Sequence, residues 1–142
     1  MAVFFESSEG AVFPKIRKLA VKQWIGQIAH SLSKRLGEVS YRFCSDKEIL
    51  QVNNQYLKHD YYTDIITFDY SEGDLIAGDI FISLDTVGSN AVKYRVDYQK
   101  ELHRVIIHGV LHLCGLKDKT DEEARQMRQA EDAALQLYGF EI

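Results

Sequence analysis

The chain has 142 residues, of which 46% are hydrophobic and 27% are charged, and its formal net charge at pH 7 is −4. These values are those of a globular protein that can bury a core, and they exclude a disordered or fibrous chain. The net negative charge argues against a protein that coats nucleic acid through bulk electrostatics.

Apolar periodicity predicts a short strand at residues 2–6 and then an amphipathic helix. Pro14 is expected at the start of this helix and Gly37 just beyond its end. The side chains predicted to face the core recur at helical spacing: Ile16, Leu19, Ala20, Trp24, Ile28 and Leu32. The same segment carries a basic cluster: Lys15, Arg17, Lys18 and Lys22. Either this cluster is the solvated face of the helix, or it is a local patch that contacts phosphates.

A second strand is predicted over residues 39–44, where apolar and polar side chains alternate. The capping-box sequence at residues 45–48 then opens a helix that extends to about Tyr56. Residues 64–70 and 75–84 are rich in β-forming side chains and are separated by a short turn. They are expected to pair as a hairpin.

Three helices are expected in the C-terminal half of the chain. A short helix follows Asp85, and Asp97 is placed to cap a second, longer helix. A third begins with the capping-box sequence at residues 120–123 and ends near Gly139. This order of elements implies an α/β or α+β layer architecture, with helices packed on a single mixed sheet of about four strands. Residues 1–142 contain no repeat or linker and are predicted to form one domain.

Cys44 and Cys114 are far apart in the sequence and form no C-x-x-C motif. They are expected to be reduced, buried side chains of a cytoplasmic protein. The longest apolar runs are too short to cross a bilayer, and the N-terminal residues do not resemble a signal peptide. The sequence therefore predicts a cytoplasmic protein without a membrane partner, and it does not predict an oligomeric state.

The stretch H-G-V-L-H-L-C-G-L-K-D, which begins at His108, carries the strongest chemical signal in the chain. On a helix, His108 and His112 stand one turn apart on the same face, so both imidazoles can point at one ion. Gly115 allows the helix to end and the chain to turn back, which brings Asp118 within reach as an oxygen ligand. Two histidines and one carboxylate leave a coordination position open, as in catalytic zinc sites. The alternative is that two histidines share one face of a buried helix by chance.

The segment H-G-V-L-H-L-C-G resembles the H-G-x-L-H-L-x-G signature of the YbeY family, bacterial rRNA maturation factors that are single-strand-specific endoribonucleases. The third histidine that closes the family signature is replaced here by Asp118. The resemblance implies zinc as the cofactor, and the carboxylate makes another divalent metal compatible with the site. It also implies a role in maturation of the 16S rRNA 3′ end and in ribosome quality control. The implied partners are single-stranded RNA, rRNA, and the ribosome or its proteins.

Residues 53–68 are similar to the family segment L-N-x-x-Y-R…T-D-V-L-S-F, and residues 78–80 resemble its G-D-I strand. The family arginine that is implicated in RNA cleavage falls on Leu57 here. Lys58 and His59 are the nearest groups that can contact a phosphate or transfer a proton, and they are the candidate catalytic residues. Lysine supplies a point charge but lacks the bidentate fork of arginine.

Glu101 lies seven residues before His108 and shares its helix face. It is predicted either to accept a hydrogen bond from a ligand imidazole and so orient it, or to be an exposed first-turn glutamate stabilised by the helix dipole. His103 is off this face and is excluded from the site.

A metal ion with an open position can polarise a phosphoryl or carbonyl oxygen, so the site predicts a hydrolase. In H-E-x-x-H metallopeptidases the general base follows the first histidine, whereas here that position is Gly109. The residues predict a metal-dependent hydrolase, and the resemblance to the YbeY family implies that its substrate is single-stranded RNA, which makes it an endoribonuclease. Two alternatives are a zinc metallopeptidase-like hydrolase and a non-catalytic ribosome-assembly factor in which the metal is structural.

Overall fold

The computed structural model describes residues 2–57 and 63–142. Within these residues, four strands and five helices follow one another along the chain. They are β1 (Val3–Ser7), α1 (Lys18–Ser31), β2 (Arg35–Cys44), α2 (Asp46–Leu57), β3 (Ile65–Asp69), β4 (Leu75–Ser83), α3 (Leu84–Tyr94), α4 (Tyr98–Leu113) and α5 (Asp121–Tyr138). The predicted order of strands and helices is confirmed.

The strands form one mixed sheet in the order β1-β2-β4-β3, as expected for an α+β fold. β1 pairs with β2 and β2 with β4 in parallel, whereas β3 pairs with β4 in antiparallel orientation. The predicted hairpin is formed by β3 and β4, with Ile65 opposite Ile82 and Asp69 opposite Gly78. The carboxyl ends of the parallel strands and the start of β3 therefore lie at the same edge of the sheet.

The main core lies between one face of the sheet and helices α1, α4 and α5. Its largest fully buried side chains are Tyr41, Phe43, Ile25, Ile76, Ile80, Ile82, Leu102, Ile106, Ile107, Leu111 and Leu135. Burial of each large apolar side chain stabilises the fold by about 1.5–3 kcal/mol. The Tyr41 hydroxyl also donates a hydrogen bond of 2.8 Å to the Ile106 carbonyl oxygen, which ties β2 to α4. This packing fixes the position of α4 on the sheet.

The prediction for the first helix is wrong at both ends, and its predicted buried face is right only at Trp24 and Ile28. α1 begins four residues after Pro14, and Gly37 lies inside β2. Ile16 belongs to the irregular segment before the helix, so helical spacing counted from it assigned Leu19 to the buried face by mistake. Leu19 is accordingly 64% exposed. The buried residues of α1 are Val21, Trp24, Ile25, Ile28 and Ala29.

Gly37 has a packing role within the sheet. A Cβ atom at this position would lie 2.6 Å from the carbonyl oxygen of Ile76 on the neighbouring strand. The position falls in the irregular step of the register between Leu36 and Val39. Glycine therefore allows β2 and β4 to approach closely where their pairing is irregular.

The predicted starts of α2, α4 and α5 are confirmed by their caps, whereas α3 begins at Leu84, just before the predicted Asp85. The Ser45 N–H donates to the Glu48 carboxylate at 2.8 Å, and the Glu48 N–H donates to the Ser45 hydroxyl at 3.3 Å. Asp97 accepts two hydrogen bonds from backbone N–H groups in the first turn of α4. Thr120 and Glu123 form the predicted capping box of α5. Caps of this kind contribute about 1 kcal/mol each.

Cys44 and Cys114 are unpaired and buried, as predicted. Burial raises the pKa of the Cys44 thiol to about 12 and that of the Cys114 thiol to about 11, so both thiols are neutral at physiological pH. Over residues 2–57 and 63–142, no helix is both long enough and apolar enough to cross a membrane.

Candidate metal centre and active-site cleft

A cleft of about 730 Å³ lies beside α4, at the sheet edge where β3 begins. Its α4 wall consists of residues that recur every three or four positions and so share one helix face: Glu101, Arg104, Val105, His108 and His112. Other walls come from the start of β3, from α3 and from α5, and the residues that carry their chemistry are Asp64, Tyr94, Arg128 and Glu131. Asp118, in the connection between α4 and α5, completes this lining.

His108 is held between two carboxylates. Its Nδ1 atom lies 2.7 Å from Oε2 of Glu131, and its Nε2 atom lies 3.3 Å from Oδ2 of Asp118. Burial by itself would lower the pKa of His108, but the hydrogen bond and the negative charge of Glu131, together with Asp118 and Asp64, raise it above its ordinary value. Because Nδ1 is engaged by Glu131, Nε2 is the nitrogen that is directed toward Asp118.

The turn after α4 brings Asp118 to the cleft. Gly115 has a φ of +104°, which side chains other than glycine rarely adopt. The N–H of Gly115 donates to the His112 carbonyl at 3.0 Å, and the N–H of Leu116 donates to the Leu111 carbonyl at 3.1 Å. The helix-ending role predicted for Gly115 is therefore confirmed. The reversal of the chain places the Asp118 carboxylate beside the first histidine of the motif.

The donor pair fits a divalent ion. Two ligand atoms bound at about 2.0–2.1 Å to a tetrahedral zinc are roughly 3.4 Å apart. The distance of 3.3 Å between His108 Nε2 and Asp118 Oδ2 matches this spacing. His112 lines the same cleft one helical turn further on. Across the described residues, no group of three or more His, Cys, Asp or Glu side chains is already arranged to hold a metal. The role of His112 as the third ligand therefore stays a prediction.

The acceptor beside His108 Nδ1 is Glu131 of α5. The first interpretation of Glu101, as the acceptor for a ligand imidazole, therefore does not apply at His108. Glu101 is only 6% exposed, so its alternative interpretation as an exposed first-turn glutamate is wrong. Glu101 lines the cleft, and burial raises the pKa of its carboxyl group. Asp64, at the start of β3, has a raised pKa for the same reason.

Sequence reasoning missed Glu131 because it lies 23 residues after His108, on a different helix. The sequence does contain a signal for it. The buried residues of α5 are Met127, Glu131, Ala134 and Leu135, which share one helix face. A glutamate on an otherwise apolar face requires a partner, because an unpaired buried charge is strongly unfavourable.

Arg104 supplies a further partner for Glu131. Its Nη1 atom donates to Oε1 of Glu131 at 3.0 Å, and its Nη2 atom donates to Oδ1 of Asp132 at 2.8 Å. The side chains of Arg104 and Glu131 are only 12% and 7% exposed. This buried ion pair holds the carboxylate that in turn holds His108, so α4 and α5 are connected through charged hydrogen bonds.

The other residues considered for the site are the candidate catalytic residues Lys58 and His59, the neighbouring Leu57, and His103. Lys58 and His59 lie outside the described residues, whereas Leu57, the last residue of α2, lines the cleft. His103 is on the other side of α4, where its ring packs against Trp24, Tyr138 and Phe140. Its exclusion from the site agrees with this position.

Gly109 shows why the position after His108 carries no side chain. A Cβ atom there would lie 2.8 Å from Cδ1 of Ile80 and 3.2 Å from Cδ1 of Ile65. This face of α4 is pressed against the sheet and not against the cleft. A glutamate general base like that of the H-E-x-x-H metallopeptidases would have to displace the side chains of Ile80 and Ile65 at this position.

The sequence profile of the family described as "Endoribonuclease YbeY" matches residues 7–139. The chain belongs to the YbeY family. A relative named "Endoribonuclease YbeY" from Bacteroides thetaiotaomicron is 56% identical over 137 residues, which cover 96% of this chain and 99% of the relative. A relative of the same name from Phocaeicola vulgatus is 58% identical over 130 residues, covering 92% of this chain and 94% of the relative.

A solved structure shares the fold of this YbeY-family chain. The solution structure of TM1509 from Thermotoga maritima matches with a TM-score of 0.63 and 27% sequence identity. The match covers 96% of this chain and 87% of the Thermotoga maritima chain. The sheet and the helices around the cleft are therefore an arrangement that a distant relative also adopts.

Proposed function

We propose that this chain is a metal-dependent endoribonuclease that cuts single-stranded RNA in the maturation of ribosomal RNA. Membership of the YbeY family, with relatives named as endoribonucleases at 56% and 58% identity, supports the nuclease activity. The observation that carries the metal dependence is the position of His108, whose Nδ1 is bonded to Glu131 while its Nε2 lies 3.3 Å from Asp118.

The residues that would hold the metal are His108, His112 and Asp118. Zinc fits this donor set, and the carboxylate makes another divalent metal compatible. When bound, such an ion supplies Lewis acidity to polarise a phosphoryl oxygen. Glu131 fixes the orientation and the tautomer of the His108 ring, because it accepts the hydrogen bond from Nδ1.

Two carboxyl groups of the cleft are suited to hold or release a proton. Asp64 and Glu101 both line the cleft, and burial raises the pKa of each. A raised pKa brings a carboxyl closer to the operating pH, which is what general acid–base catalysis requires. Lys58 and His59 stay candidates for phosphate contact or proton transfer.

The expected cellular setting follows from the family. The chain would act in the cytoplasm on rRNA, at the 3′ end of the 16S species and in ribosome quality control. Its partners would be single-stranded RNA and the ribosome or ribosomal proteins. The close packing of Gly109 against Ile80 and Ile65 favours this function over a metallopeptidase.

The test compares substrates and metals on purified protein. Single-stranded RNA, duplex RNA and a peptide library would each be incubated with the protein as prepared, after chelation, and after zinc or manganese is added back. Cleavage of single-stranded RNA that disappears on chelation and returns with metal supports the proposal. Peptide cleavage alone would move the function to a metallopeptidase. Metal binding without any cleavage would favour a non-catalytic assembly factor.

A further inference from the structure

The described residues that line the cleft carry more negative than positive side chains. Four carboxylates contribute to the lining: Asp64, Glu101, Asp118 and Glu131. The described basic side chains of the lining are Arg104 and Arg128. A phosphodiester that enters this cleft meets like charges, which the proposed divalent ion offsets only in part, so a cationic side chain with free donors would favour its binding.

Arg104 is already engaged by two carboxylates. Its two terminal nitrogens are hydrogen-bonded to Glu131 and Asp132, and its side chain is 12% exposed. If Arg104 turned to a phosphate, it would leave the buried Glu131 carboxylate without its closest cation. Removing one partner of a buried ion pair is strongly unfavourable. Arg104 is therefore committed to the structure of the site.

Arg128 is placed and solvated differently. It lies on α5 one turn before Glu131, its side chain is 59% exposed, and its Nη1 atom is 3.6 Å from Oε1 of Glu131. That separation exceeds the range of an N–H···O hydrogen bond. Oε1 of Glu131 already accepts from Arg104, and Oε2 lies 2.7 Å from His108 Nδ1. The guanidinium of Arg128 thus stands at the cleft without a short hydrogen bond to Glu131.

We propose that Arg128 binds a backbone phosphate of the RNA beside the candidate metal centre. The Glu131 carboxylate lies between the two side chains: its Oε1 is 3.6 Å from Arg128 Nη1, and its Oε2 is 2.7 Å from His108 Nδ1. A guanidinium presents a planar pair of N–H donors that matches two phosphate oxygens. Leu57, which also lines the cleft, supplies no charge. The inference rests on the proposed function, since it assigns a contact to the RNA substrate.

The chain contains a matched control for Arg128. Arg125 lies one turn earlier on α5, and its side chain is 63% exposed, close to the 59% of Arg128. It is hydrogen-bonded to Glu122, three residues before it, whereas Arg128 makes no short hydrogen bond to Glu131, three residues after it. Arg125 is not part of the cleft lining. Arg128→Ala, Arg128→Lys and Arg125→Ala would be compared with the wild-type chain in their metal content, thermal midpoint and RNA binding.

The probe is a fluorescent single-stranded RNA with 2′-O-methyl groups, titrated by anisotropy at several salt concentrations, with cleavage of unmodified RNA measured in parallel. Arg128→Ala is expected to bind about five- to tenfold more weakly, since it loses one charge-assisted hydrogen-bonded contact. Its log affinity should fall less steeply with log salt, by about 0.7, the value for one lost phosphate contact on a single strand. Arg128→Lys should keep the salt slope and recover part of the affinity.

The outcomes separate this inference from the function on which it rests. Weaker binding, a smaller salt slope and a raised KM in Arg128→Ala, with Arg125→Ala like the wild type, support it. If the wild-type chain binds and cleaves RNA, and Arg128→Ala has the same RNA affinity and salt slope, the inference about Arg128 is overturned and the proposed function is not. An Arg128→Ala chain with only a lower thermal midpoint has lost a structural contact, which also overturns it. A wild-type chain that neither binds nor cleaves single-stranded RNA overturns both.

Discussion

The imidazole of His108 and the carboxylate of Glu131 lie 2.7 Å apart and join helices α4 and α5 at the candidate metal centre. Glu131 is simultaneously bonded to Arg104, so one buried carboxylate serves both the packing of the two helices and the orientation of a proposed ligand. A hydrogen bond of this type fixes which imidazole nitrogen is available to a metal. The contact therefore connects the stability of the fold with the chemistry of the cleft.

Replacement of Glu131 by glutamine should weaken metal binding by about 10- to 100-fold, the usual effect of removing a carboxylate that orients a ligand histidine. The pKa of His108 in the metal-free protein should also fall, because burial then acts with less opposition. Zinc affinity would be measured by competition with a chelating dye, and the His108 titration by NMR. Glu122→Gln, at an exposed position on the same helix, is the control. Identical affinity in Glu131→Gln and the wild type would contradict this role.

Stability should decrease as the pH falls below 6.5, partly because of His103. This side chain is 3% exposed, its Nε2 atom has no hydrogen-bond partner in the described structure, and its Nδ1 lies 2.6 Å from the Gln99 carbonyl oxygen. Burial lowers its pKa from 6.5, so the unfolded chain binds more protons between 6.5 and the lowered pKa. The stabilisation is present above pH 6.5 and is lost as the pH falls through this window.

The contribution of His103 can be isolated with the His103→Phe variant, which keeps a ring among Trp24, Tyr138 and Phe140. Denaturant unfolding would be followed from pH 7.5 to pH 5 for both chains. The free-energy difference between wild type and variant should shift against the wild type as the pH falls. Parallel curves over the whole range would show that His103 does not titrate differently in the folded state.

Two glycine-to-alanine substitutions should have opposite effects. At Gly78 in β4, a Cβ atom would lie 2.5 Å from the Phe68 carbonyl oxygen and 2.9 Å from Cδ2 of Leu113. Gly78→Ala should therefore lower the free energy of unfolding by about 1–3 kcal/mol, as overpacking does. At Gly26 in α1, no atom lies within 4 Å of the added Cβ. Gly26→Ala should raise the free energy of unfolding by about 0.4–1 kcal/mol. Thermal or urea unfolding of both variants checks the signs, and equal effects would contradict the packing.

Much of the fold could be predicted because its signals are local. The caps at Ser45, Asp97 and Thr120 mark helix starts through residues within one turn, and the structure contains all three. The first helix was predicted less well because its N-cap residue, Arg17, makes no capping hydrogen bond, and because the segment makes long-range contacts. Trp24 donates to the Ala134 carbonyl at 2.8 Å, and Gly37 accommodates a neighbouring strand. No spacing within the segment encodes either contact.

The candidate site was likewise predicted where its residues are close in sequence and missed where they are far apart. His108, His112 and Gly115 lie within eight consecutive residues, so helix geometry is sufficient to group them. The acceptor for His108 could not be inferred by counting along α4, because Glu131 reaches it from another helix. Helix periodicity correctly placed Glu101 on the face of α4 that lines the cleft. It could not show that His108 Nδ1 is bonded to Glu131. The periodicity of a sequence does not show which side chains pair across different helices.

The central claim is that His108, His112 and Asp118 hold the divalent ion that RNA cleavage requires. The most direct measurement is bound zinc and manganese by elemental analysis after dialysis, together with cleavage of single-stranded RNA. The chains would be wild type, His112→Ala, Asp118→Ala, Asp118→His and the exposed control His30→Ala, each checked for folding by circular dichroism. Near-stoichiometric metal and cleavage are expected in wild type, His30→Ala and Asp118→His, and both should be strongly reduced in the two alanine variants at the site. Folded His112→Ala and Asp118→Ala chains that keep full metal content, or wild-type cleavage that survives complete removal of metal, would contradict the claim.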